Sequence, residues 1–152
     1  MQKEDLLSKT PAELDQLFTL GAPAPIPSGN AAGEVVLWKG GTFLERCIAW
    51  WAHELVWQGK IFTPNPDGDG ATLINKLGPT GVHAIVARVY TTTSWFDAKP
   101  CIVLDYSKTS LLAQKIRDEI RLVDPATRLY LGKVWWGTRE LIGFALEFPA
   151  QG

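Results

Sequence analysis

The chain has 152 residues, 46% apolar and 20% charged, with a formal net charge of −1 and an isoelectric point near 6.1. This length and balance describe one domain, spanning 1–152, that buries its own core, and they exclude disorder as the default state. A nearly neutral chain with scattered Lys and Arg also excludes an electrostatic grip on nucleic acid, which needs a basic face.

The N-terminal stretch MQKEDLLSKT is charged and lacks an apolar signal-like core. Cys47 and Cys101 stand in no metal-ligand spacing, which fits reduced, buried thiols in a cytoplasmic protein. Thr10-Pro11-Ala12-Glu13 is a capping box that opens an amphipathic helix over 11–20, stopped by Gly21. Ala22 to Gly33 is a Pro/Gly-rich connector, expected to wrap the outside of a barrel. Glu34–Trp38 predicts a first strand. A second capping box, Thr42 to Glu45, opens an apolar helix to about Trp57, with Arg46 and His53 on one face. It is expected to cap one end of the barrel, and its longest apolar-rich run is too short to span a bilayer.

Strands are predicted over Trp57–Phe62, Ala71–Leu77 and Val82–Thr91. The third of these is apolar on both faces and is expected to be covered on both sides. The DGDG in the loop Thr63–Gly70 lacks the spaced carboxylates and distal Glu of a calcium loop, so no metal is expected there. Strands follow over Lys99–Tyr106, Arg117–Val123, Arg128–Trp136 and Leu141–Phe148, with a short helix from Thr109 or Ser110 to Ile116. The fold class is therefore mainly β: a closed eight-stranded antiparallel barrel with an N-terminal helix and a capping helix. Such a barrel has room for side chains or one small ligand.

Several short pieces carry a family resemblance: Glu13–Phe18, Trp38-Lys39-Gly40, Trp57–Phe62, Ala87–Tyr90, Asp105-Tyr106, Leu131-Gly132 and Phe144–Phe148. In this order the chain resembles the bacterial GXWXG proteins with their companion domain of unknown function. Val36 stands where that motif has its first Gly. The resemblance implies an eight-stranded antiparallel lipocalin-like (calycin-type) barrel with a ligand cavity, and it assigns no catalytic residue.

The densest ionisable set among apolar neighbours is Asp105, Tyr106, Arg117, Asp118, Glu119 and Arg121. Arg117, Glu119 and Arg121 alternate on one strand face, which is either solvated or interior and internally paired. No nucleophile elbow, phosphate loop, zinc-protease motif or dinucleotide fingerprint is present. No metal or cofactor is expected; haem ligation through His53 or His83 is a reading that the spacing does not reinforce. Seven tryptophans suit either core packing or an aromatic-lined cavity.

The leading functional expectation is binding of a small lipophilic molecule with a polar or anionic end inside the barrel. Its candidate contacts are Arg88, Tyr90, Arg117, Arg121, Tyr130, Trp136, His53 and Trp50. The alternative is a cofactor-free isomerase, cyclase or lyase, with Asp105 or Glu119 as base and Tyr106 or an Arg stabilising developing charge. A third reading is a partner-binding protein with an exposed Trp patch. Neither nucleic acid nor a membrane span is expected, and the sequence leaves the oligomeric state open.

Overall fold

Strand β1 (Gly29–Trp38) starts five residues ahead of the apolar run that predicts it, inside the expected connector. Its neighbours impose the extra length. Gly29, Asn30 and Ala31 pair with Phe62, Ile61 and Lys60 of β2 (Gly59–Pro64). Farther on, Ala32 to Trp38 pair with β8 (Arg139–Glu147). A segment with no β pattern of its own thus becomes a strand because two open edges need backbone partners. The computed structural model describes residues 1–39, 59–77, 82–108 and 113–149, without the side chains of residues 38, 75–77, 82–85 and 113. The helix expected over 42–57 lies outside the described residues.

Between these come β3 (Ala71–Leu77), β4 (Val82–Thr93), β5 (Pro100–Asp105), β6 (Ile116–Asp124) and β7 (Leu129–Trp136). Each pairs antiparallel with the next, and β1 with β8, to close an eight-stranded barrel. Helix α2 (Pro11–Leu20) has the expected bounds, with Thr10 and Glu13 capping one another. A shorter helix, α1 (Lys3–Leu7), precedes it and was not expected. Of the helix expected before β6, the described part is a 3-10 turn, Ala113–Lys115.

Pleating sends alternate residues inward. Ile102 and Leu104 of β5, Ile120 of β6, Tyr130 of β7 and Phe144 and Leu146 of β8 meet in the barrel interior. Ala24 and Ile26 pack on this cluster, and Ala22 bridges to Leu122, so the connector runs across one barrel end instead of around the outside. The rings of Phe62, Tyr130 and Phe148 fill the same end, with centroids 5.3 and 5.4 Å apart.

Helices α1 and α2 lie on the outer face of β6 to β8, where Leu6, Leu14 and Phe18 pack on Leu129, Leu131 and Ala145. Strands β5 to β8 carry buried residues on both faces, and the expectation for β4 is corrected. Its Ala87 and Val89 are buried, but Val86 is 47% exposed and Arg88 faces solvent, because neither helix packs over it.

At Gly132 the barrel holds a close approach that a side chain would block. A Cβ on Gly132 would lie 2.2 Å from Cζ of Phe144, its cross-strand partner, whose ring occupies the space above the glycine. Gly132→Ala is expected to cost about 1–3 kcal/mol by overpacking. Adding Phe144→Leu should remove that coupling. Chemical denaturation of the two single variants and the double variant reads it, and strictly additive losses would contradict this packing.

Candidate functional site

Among the inward positions of β2 and β6, two charged residues stand in phase with apolar ones. Lys60 shares its parity with Phe62, and Asp118 shares its parity with Ile116, Ile120 and Leu122. Tyr106 follows β5 and continues the inward series Ile102, Leu104. The three side chains meet. Lys60 Nζ donates to Tyr106 Oη at 2.6 Å and to Asp118 Oδ2 at 3.0 Å. Tyr106 Oη donates to the same carboxylate oxygen at 3.0 Å. All three residues are at most 5% exposed. The ammonium also lies 5.4 Å from the Phe144 ring centroid, so an aromatic ring supports the cation beside its two hydrogen bonds.

Such a trio is costly to build. Two charges lose their hydration, and their mutual attraction in a dry interior roughly offsets that loss. An apolar set of the same volume would serve the fold as well. What the trio adds is chemical: a cation, a phenol O–H and a carboxylate within hydrogen-bond reach of one another, surrounded by apolar walls. Among the described residues, no three His, Cys, Asp or Glu side chains converge as a metal site requires.

The other residues singled out from sequence lie elsewhere. Arg117, Glu119 and Arg121 point out of the barrel, yet they are neither solvated nor interior, because the 94–99 loop and α2 fold over them. Glu119 is fully buried and accepts from Ser94 Oγ at 2.5 Å, the Trp95 N–H at 2.8 Å and Arg117 Nε at 3.0 Å. Arg117 also lies over the Trp95 ring, 4.3 Å from its centroid. The guanidinium of Arg121, fully buried, uses all its donors: Nε to the Pro100 carbonyl, one amino group to Phe18 O and Asp97, the other to Asp97 and Lys99 O. Cys101 sits beside this layer, and burial, with the Glu119 charge, pushes its thiol up to about 12, so it stays protonated and inert.

A neighbouring latch holds the same helix. Buried Lys133 reaches Asp15 of α2 and Glu140, while its Nζ lies 4.1 Å from the Phe96 ring centroid. Both clusters anchor the helix and loop to the barrel and keep their charges away from its interior.

Arg88, Tyr90 and Asp105 also face outward. Tyr90 Oη donates to Asp105 Oδ2 at 3.3 Å, and Arg88 lies across the strand pair from Asp105. Burial opposes ionisation of Asp105, but hydrogen bonds from Ser107 and Tyr90 hold its carboxyl below the ordinary range. Burial, then the Asp105 charge, raises the Tyr90 phenol. Tyr130 is inside, paired with Leu122 near the filled end, and burial raises its phenol as well. Trp136 ends β7 half-buried against Leu141 and Ile142. Trp50 and His53 lie outside the described residues, as does the side chain of His83.

Of the residues singled out as candidate contacts or catalysts, Tyr106 is the one that joins the polar trio. Lys60 and Asp118 were not assigned a role, although a charge standing on the apolar parity of a strand is the signal that marks both.

The Arg121 latch carries an expected result. Asp97→Asn removes a bidentate carboxylate from a buried cation, and because Asp97 is itself 14% exposed the loss is expected at about 2 kcal/mol. The same pair sets an acid dependence. The Arg121 hydrogen bonds depress the Asp97 carboxyl below its unfolded value, so the stability they confer is present above that value, about 3.9. It is lost as pH falls through the lower, folded value. Denaturation from pH 6 down to pH 2 should therefore narrow the gap between wild type and Asp97→Asn; a constant gap would contradict the linkage.

No family model and no curated protein matches the chain. The crystal structure of a protein from Thermomonospora curvata is similar, with a TM-score of 0.61 at 17% identity over 93% of this chain and 89% of that one. That likeness is one of fold.

Proposed function

We propose that the barrel binds a small lipophilic molecule, with the polar end of the ligand at Lys60 and Tyr106 and its apolar body along the inner walls. The observation that carries this reading is the buried Lys60–Tyr106–Asp118 trio in an otherwise apolar interior. Stability does not call for it, whereas ligand sites are apolar cavities with a few converging polar groups that fix orientation. The aromatic filling at the opposite end supports the same polarity, with the polar contact set apart from Phe62, Tyr130 and Phe148. The outward-facing arginines anchor structure in this reading, and the grip passes from them to Lys60.

The test is displacement of the amphiphilic dye anilinonaphthalene sulfonate by decanol. Saturable displacement at one site per chain is expected. In the double variant Lys60→Met/Asp118→Met, affinity for decanol should fall about tenfold, the value of one good polar contact. Absence of saturable displacement, or unchanged affinity in the double variant, would overturn the proposal.

A further inference from the structure

We infer that Lys60 is a covalent attachment point: a lipophilic aldehyde or ketone held in the barrel condenses with its amine to a protonated imine. This rests on the ligand-binding reading and specifies the polar end of the ligand.

The geometry points first to a carbonyl. The charge of Lys60 is already matched by Asp118 at 3.0 Å, so a carboxylate entering the site would meet a neutral pair and place two anions together. A neutral carbonyl oxygen meets no such repulsion.

The second observation is conservation of charge. Condensation turns an ammonium and a carbonyl into an iminium and water, so one positive charge is present before and after. Asp118 serves as counter-ion to both, and the Phe144 ring suits either cation. No desolvated charge is created or lost in the overall reaction.

The groups for the proton transfers are also in place. Lys60 gives one proton to the Asp118 carboxylate, and the freed amine lone pair attacks the carbonyl carbon. The C–N bond forms as the carbonyl π pair moves to oxygen. A proton passes from nitrogen to that oxygen, giving a neutral carbinolamine. The C–O bond then breaks as the nitrogen lone pair forms C=N, and the proton held by Asp118 leaves with the hydroxyl as water. The carboxylate is restored opposite the iminium. Protonation of Asp118 frees the Tyr106 O–H it had accepted, and Oη, 2.6 Å from Nζ, then donates to the oxygen as it gains charge and departs. Lys133 is buried too, but on the outer face among Asp15, Glu140 and Phe96, away from the apolar interior.

The full chain is incubated with decanal and cyanoborohydride, whose hydride adds to the iminium carbon and fixes it as a secondary amine. Intact mass and peptide mapping then locate the decyl group, while dye displacement by decanol reports non-covalent binding in parallel. A single decyl group on Lys60, gained well before exposed Lys99 and Lys108 react, is the expected result. Lys60→Arg should lose the adduct, and Tyr106→Phe should slow trapping about a hundredfold. Reaction of Lys60 no faster than Lys99 overturns the inference. If decanol still displaces the dye in that case, the ligand reading survives without the covalent step; if it does not, both fall.

Discussion

Replacing Lys60 with Met is expected to cost the fold about 3–5 kcal/mol, and replacing Asp118 with Met as well is expected to return most of that loss. The single change leaves a carboxylate at 3% exposure without its cation, whereas the double change removes both ions and lets apolar chains fill the volume. The Tyr106 hydroxyl loses two hydrogen bonds in the double variant, a residual loss of about 1 kcal/mol that adding Tyr106→Phe should relieve. Urea unfolding followed by circular dichroism measures this directly. With a slope of about 2 kcal/mol per molar, the single variant should unfold about 2 M earlier. A double variant as unstable as the single one would mean that the trio holds the barrel together, and the argument from its cost to a ligand would lose its premise.

Gly59→Ala is expected to be worse still, at least about 4 kcal/mol. Gly59 opens β2 at φ +126°, a conformation that L side chains rarely adopt, and a Cβ there would fall 1.9 Å from the carbonyl oxygen of Ala31. A backbone carbonyl fixed in a strand pair cannot rotate away as a side chain can. The clash falls on the shortest seam of the barrel, the three residue pairs joining Gly29–Ala31 to Lys60–Phe62. Hydrogen exchange should show that protection of β1 and β2 is lost first. An alanine variant with wild-type exchange at these strands would contradict the placement of Gly59.

The strands from β3 onward were legible because turn residues and alternating side chains coincide there. Helix α2 was legible for a similar local reason, since Thr10, Pro11 and Glu13 specify its start among themselves. The first half of β1 was not, because Gly29, Ala31, Ala32 and Gly33 carry no alternation and the strand exists through its neighbours. The site divides along the same line. Period-2 spacing correctly put Arg117, Glu119 and Arg121 on one face, but parity alone does not say which face is inner. What decides it is the interior apolar cluster that Ile116, Ile120 and Leu122 join. The outer ladder is buried by a loop and a helix from distant parts of the chain, a long-range fact that no local window contains. Lys60 escaped notice as one polar residue between a glycine and a β-branched neighbour.

The pairing of β1 with both β2 and β8 also sets an order of assembly. Strands β2 through β8 can zip as successive antiparallel neighbours, each added to the one just made. The ring shuts only when residues 32–38 find residues 142–147, a separation of more than 100 positions. Contacts of that range close late, after the shorter loops have formed. During synthesis, β1 emerges first and waits for its second partner until the last strand has been made. Helices α1 and α2 wait with it, because the β7 and β8 surfaces they cover belong to the same late stretch of chain. Helices α1 and α2 and residues 32–38 therefore dock after the strands that follow them in the chain.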